Sequence, residues 1–138
     1  MPLALIWPVM AQVLLTIILI LWTGATRVRA LRRRDVRMKD IALSSDAWPD
    51  DTRKIANNMR NQFETPVLFY VLCGVAIYVG AAGSLMTLLA WAWFISRLAH
   101  TAIHVTTNRV PQRAFVFAIG VIILMLMWLL ILLRLLGA

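Results

Sequence analysis

Four long apolar stretches set the limits on what this chain can become. They cover residues 3–22, 63–82, 85–105 and 114–133. Each approaches or reaches the roughly 20 residues that a helix rising about 1.5 Å per residue needs to cross about 30 Å of hydrocarbon. Together they occupy most of the 138 residues and lift the hydrophobic share to 62%, where a soluble globule is nearer about half apolar. The expected fold is all-α: one integral-membrane four-helix bundle, with helices over about 3–29, 53–82, 84–107 and 111–136, and no separate soluble domain. The first stretch has no basic residue ahead of its apolar core, and a basic cluster follows it. It reads as a retained span rather than a signal peptide.

The formal charge of +8 could suggest a nucleic-acid partner, but its placement argues against one. Arg27, Arg29, Arg32, Arg33, Arg34, Arg37, Lys39 and Arg53 lie between the first two stretches, and Lys54 and Arg60 follow at the foot of the second. Arg109 and Arg113 lie between the third and fourth. This is the positive-inside distribution of a multi-pass membrane protein. It puts both basic loops in the cytoplasm and both termini on the opposite side. Trp7, Trp22 and Trp128 fall near span ends, as interfacial anchors do. The single cysteine, Cys73, lies in mid-span, so no intrachain disulfide can form.

Arg97 is the most informative polar residue. An arginine well inside a span costs about 2.5–3.5 kcal/mol even on a lenient insertion scale, so it should face protein and an acidic partner. Glu64 is the only carboxylate within any of the apolar stretches, which makes it the expected counter-charge. Arg97, His100, Thr101 and His104 form one helical stripe, and Asn57, Arg60, Asn61 and Glu64 form another. Arg27 and Arg113 stand at the inner ends of the first and fourth helices. A cationic pocket open to the cytosol is expected, suited to a small anionic ligand that also carries an amino group. Such Arg–Glu pairs can equally serve only to fix the register of a bundle. The His pair lacks the further ligands of a metal site, so no metal is expected. No nucleophile–base arrangement or glycine-rich phosphate loop occurs.

Three stretches, "TGATRVRA" (23–30), "RNQFETP" (60–66) and "RLAHTAIHVTTNRVPQR" (97–113), together resemble the MAPEG family, the membrane-associated proteins in eicosanoid and glutathione metabolism. The pattern is similar to that of the microsomal prostaglandin E synthase and microsomal glutathione transferase branch, and suggests a bacterial member. The resemblance implies a homotrimer of four-helix subunits in the bilayer, in a bacterial inner membrane, with glutathione as co-substrate and a lipophilic small molecule as second substrate. It implies glutathione contacts at Arg27, Arg60, Asn61, Glu64, Arg97, His100 and His104, and a catalytic role for Arg113 in stabilising the thiolate. Asn57, His104 and Ala114 stand where the prostaglandin branch has an arginine, a tyrosine and a serine. These departures point away from eicosanoid synthesis and toward a general glutathione transferase or peroxidase. A non-catalytic membrane scaffold that keeps the fold is the alternative, and an ion or proton pathway lined by Glu64, His100 and His104 is a third reading.

Overall fold

The computed structural model describes residues 2–137, which form six helices. They are α1 (Leu3–Arg32), α2 (Met38–Ile41), α3 (Asp50–Asn61), α4 (Thr65–Tyr78), α5 (Ser84–Val105) and α6 (Val110–Leu135). No strand occurs among the described residues. Helices α3 and α4 follow one another as a single leg, so the chain makes a four-legged helical bundle in which α5 packs on α6, α1 on α3 and α5, and α4 on α6.

The second expected helix is not continuous. It breaks at residues 62–64, where Glu64 takes non-helical backbone angles (φ −101°, ψ −105°). Pro66, in the first turn of α4, explains the break. It cannot donate to the carbonyl of Gln62, and its ring clashes with that carbonyl in a continuing helix. Ile55, Met59 and Phe63, spaced four residues apart, are divided by the same break: Ile55 is buried, Met59 half-buried and Phe63 exposed. Helix α3 starts after Pro49, which holds the capping position and whose carbonyl accepts from Arg53 N–H. Pro8 lies inside α1, beyond its first turn.

Helices α1 and α6 are long and apolar enough to cross a membrane, and only 22% of the apolar window of each is buried within the chain. Such faces are stable against hydrocarbon and not against water. Helix α4 has 14 residues, about 21 Å, and α5 carries Arg97, His100 and His104.

The core at the end away from the basic loops is apolar. Leu5, Phe69, Cys73, Met86, Trp93, Leu124 and Met127 pack with Ala76 and Ala90. Phe69 stacks on Trp93 at 4.1 Å between ring centroids and 11° between planes. Gly120 is buried where α5 meets α6, with Ser96 Oγ only 3.2 Å from where a Cβ would stand. Small residues let membrane helices approach this closely. The turn after α4 is closed by Gly80 (φ +70°) and a bond from Ala81 N–H to Ala76 O, a Schellman-type cap.

Toward the basic loops the core turns polar. Gln12 Nε2 donates to Gln62 Oε1 at 2.9 Å, Gln62 Nε2 donates to the Asn58 carbonyl at 3.1 Å, and Thr101 Oγ1 donates to Asn58 Oδ1 at 3.4 Å. Gln12, Asn58 and Gln62 are essentially inaccessible. This chain of bonds ties α1, α3 and α5 together at the level of the break.

Candidate functional site

The break at residues 62–64 turns the end of α3 and the start of α4 toward α5 and α6. Two adjoining recesses of about 290 and 300 Å³ open there, both lined by Asn61, Glu64 and Arg113. His100, Ala114 and Phe117 complete one, and Asn57, Arg60 and His104 complete the other. Six of the eight residues singled out in the sequence thus border one cleft: Arg60, Asn61, Glu64, His100, His104 and Arg113.

The cleft has a definite charge arrangement. Arg60 and Arg113 supply guanidiniums, and Glu64 is the one carboxylate. Arg60 Nη2 donates to Asn57 Oδ1 at 2.8 Å. Arg113 Nη1 donates to Asn108 Oδ1 at 2.6 Å. Asn108 sits in the loop between α5 and α6 with φ +51°, a left-handed conformation that asparagine tolerates better than most residues. The loop conformation and the Arg113 position are therefore set by the same side chain. His100 and His104 neighbour each other along α5 with ring centroids 5.8 Å apart and planes tilted by 55°, and each has a buried Nδ1 without a hydrogen-bond partner. Among the described residues no group of three or more His, Cys, Asp or Glu lies close enough to hold a metal ion.

Arg97 and Arg27 stand apart from this cleft. Arg97 is 2% exposed, with Nε and Nη2 buried and unpartnered. The expected Glu64–Arg97 ion pair is not formed: among the described residues the ion pairs are Arg37–Asp40, Arg53–Asp46 and Arg53–Asp50. Glu64 is exposed. The helix break accounts for this, because it moves Glu64 off the α3 stripe that would have faced α5. Arg27 lies on the other side of Arg60, in a separate recess with Trp48 and Arg53.

The sequence reading did not single out Gln12, Asn58, Gln62 or Asn108. Asn58 and Gln62 are four residues apart, so the pairing could have been seen. They lie one position beyond the Asn57–Asn61 pair, which drew notice for its charged neighbours. Asn108 carried no signal beyond being a polar residue in a turn.

Two guanidiniums and one carboxylate give the cleft the charges to receive a small ligand with two anionic ends and one cationic group. The chain matches the model of the MAPEG family over residues 5–133. No curated protein and no solved structure matches it.

Proposed function

The chain belongs to the MAPEG family, and from that membership we propose that its cleft binds glutathione and that the protein is a glutathione transferase or peroxidase acting on lipophilic electrophiles. The observation that carries this reading is the meeting of Glu64 with Arg60 and Arg113 around one cleft. Arginine forks match carboxylates through paired, charge-assisted hydrogen bonds. Among the described residues Glu64 makes no ion pair, which leaves its carboxylate for an ammonium. His100 and His104 add imidazoles to the lining.

Glutathione would supply a thiol, whose thiolate form is the nucleophile. Arg113 carries a permanent charge, so it favours an anion beside it without itself titrating, and Asn108 holds it in place. Asn61 adds an amide to the cleft wall. Phe117 puts an apolar ring in one wall. An apolar groove of about 650 Å³ runs between α4 and α6 and begins at Thr65, next to Glu64. It supports entry of the second substrate from the bilayer.

The proposed assembly is a homotrimer, in keeping with the apolar outer faces of α1 and α6. The basic loops are proposed to face the cytosol, with both termini opposite, from the distribution of arginines. A non-catalytic scaffold remains the second reading because Ala114 puts a methyl where a hydroxyl could act, and one Arg113 nitrogen is already engaged by Asn108. Calorimetric titration of the purified protein with glutathione tests the site: no binding overturns the reading. Conjugation of a generic aromatic electrophile then separates the two readings, since the scaffold binds without turnover.

A further inference from the structure

A second polar recess, of about 190 Å³, lies beyond Arg60 at the basic end of the bundle. Arg27 comes to it from α1, Asp46 and Trp48 from the strap between α2 and α3, and Arg53 and Arg60 from α3. The volume is below the roughly 300–1,000 Å³ of a drug-sized ligand pocket, so it has room for one small charged group. The Arg27 guanidinium lies 5.4 Å from the Trp48 ring centroid, and its Nε is buried with no hydrogen-bond partner. Arg53 reaches Asp46 at 3.8 Å and Asp50 at 3.6 Å, but those carboxylates are 86% and 90% exposed. Such long, solvent-screened pairs neutralise little. Three guanidiniums against a single lining carboxylate leave the recess strongly cationic.

The strap that closes this recess also has the composition of a segment seated at a membrane surface. Leu43 in the strap and Met38 in the adjoining α2 are 101% and 71% exposed, and Met38 is flanked by Lys39 and by Arg37, which pairs with Asp40 at 3.0 Å. Apolar side chains beside cations settle at headgroup level and are drawn to anionic lipid. Arg29 and Arg32, in the last turn of α1, extend the same basic edge.

We propose that the recess formed by Arg27, Trp48, Arg53 and Arg60 binds a phosphate group, supplied in the membrane by the headgroup of an anionic phospholipid. Guanidinium forks take phosphate oxygens in pairs, and the Trp48 indole holds Arg27 beneath the site by cation–π contact. Asp46, with its carboxylate largely in solvent, is free to swing clear of Arg53 when the anion enters. The recess shares Asn57 and Arg60 with the glutathione cleft, but Trp48 and Arg53 border this one alone, so variants at those two residues test it apart from the glutathione reading.

The test is ligand binding to the purified full chain in an uncharged detergent, with phosphatidylglycerol, phosphatidylcholine and inorganic phosphate as separate probes. Phosphatidylglycerol is expected to bind in preference to phosphatidylcholine. Arg53→Gln and Trp48→Ala are each expected to weaken it about tenfold, the loss of one charge-assisted contact, and Arg53→Lys to weaken it less. Helical circular dichroism and melting temperature establish that each variant is folded; if Trp48→Ala does not fold, Arg53→Gln and Arg53→Lys carry the comparison. Inorganic phosphate that competes with phosphatidylglycerol identifies the phosphate as the recognised group. Inorganic phosphate binding as tightly as the lipid overturns the headgroup as its source. A phosphatidylglycerol affinity equal to that of phosphatidylcholine, or one unchanged by Arg53→Gln, overturns the site.

Discussion

Gln12 Nε2 donates a 2.9 Å hydrogen bond to Gln62 Oε1, across fifty residues of sequence and out of reach of solvent. Gln62 caps the end of α3, so the bond fixes the helix break against α1. Removing either amide strands the other, which costs about 1–3 kcal/mol. Gln12→Leu and Gln62→Leu should each lower the melting temperature in detergent. The double variant should lose less than the two singles combined, because it leaves no stranded partner from this pair. Strictly additive losses would show that the bond couples nothing.

Glu64 and Arg97 yield a prediction that differs from what their charges suggest. Without an ion pair between them, Glu64→Gln is an exposed substitution and should change stability by no more than about 0.5 kcal/mol. Its effect should fall on ligand affinity, weakening glutathione about tenfold through loss of a charged hydrogen-bond partner. Arg97→Met keeps length and apolar bulk while removing a buried charge that forms no ion pair among the described residues, which relieves the cost of taking that charge out of water. Ligand-free protein carrying Arg97→Met should therefore melt no lower than wild type. Parallel destabilisation by both substitutions would indicate that the two side chains pair after all.

Gly120 is a close approach between α6 and α5. A Cβ there would lie 3.2 Å from Ser96 Oγ, which is itself tied to the Trp93 carbonyl at 2.6 Å. Gly120→Val overpacks this point and should cost about 1–3 kcal/mol. Ser96→Ala takes away the nearest atom, so Gly120→Ala combined with Ser96→Ala should melt higher than Gly120→Ala alone. Thermal melts of the three variants check the ordering, and no rescue by Ser96→Ala would place the crowding elsewhere.

The bundle was legible because hydropathy acts over whole segments: α1 and α6 appear in the sequence as uninterrupted apolar runs. The cleft was legible in part, through the spacing of Arg60, Asn61 and Glu64 and of His100 and His104. What failed was orientation. Treating residues 53–82 as one helix kept Glu64 on the α3 stripe and paired it with Arg97. Pro66 was visible, yet proline is also accepted early in a helix, and the sequence does not say whether it bends a helix or restarts one. Gln12 and Gln62 belong to the same difficulty, since their bond exists only once the break has set the angle between α1 and α3.

Arg113 and Asn108 decide whether the cleft does chemistry. If Arg113 stabilises a bound thiolate, Arg113→Ala should raise the pKa of the bound glutathione thiol. The thiolate fraction at neutral pH would then fall, since an ordinary thiol titrates near about 8.5. Arg113→Lys should restore the shift only in part, because an ammonium lacks the planar fork. Asn108 gives an independent control. Asn108→Gly keeps the left-handed backbone at φ +51° but removes Oδ1, so the guanidinium loses its tether and keeps its charge. The thiol pKa should then lie between those of wild type and Arg113→Ala. The measurement is thiolate absorbance of bound glutathione against pH in wild type and the three variants. Four coincident titration curves would reduce Arg113 to one more basic residue at the membrane edge and favour the non-catalytic scaffold.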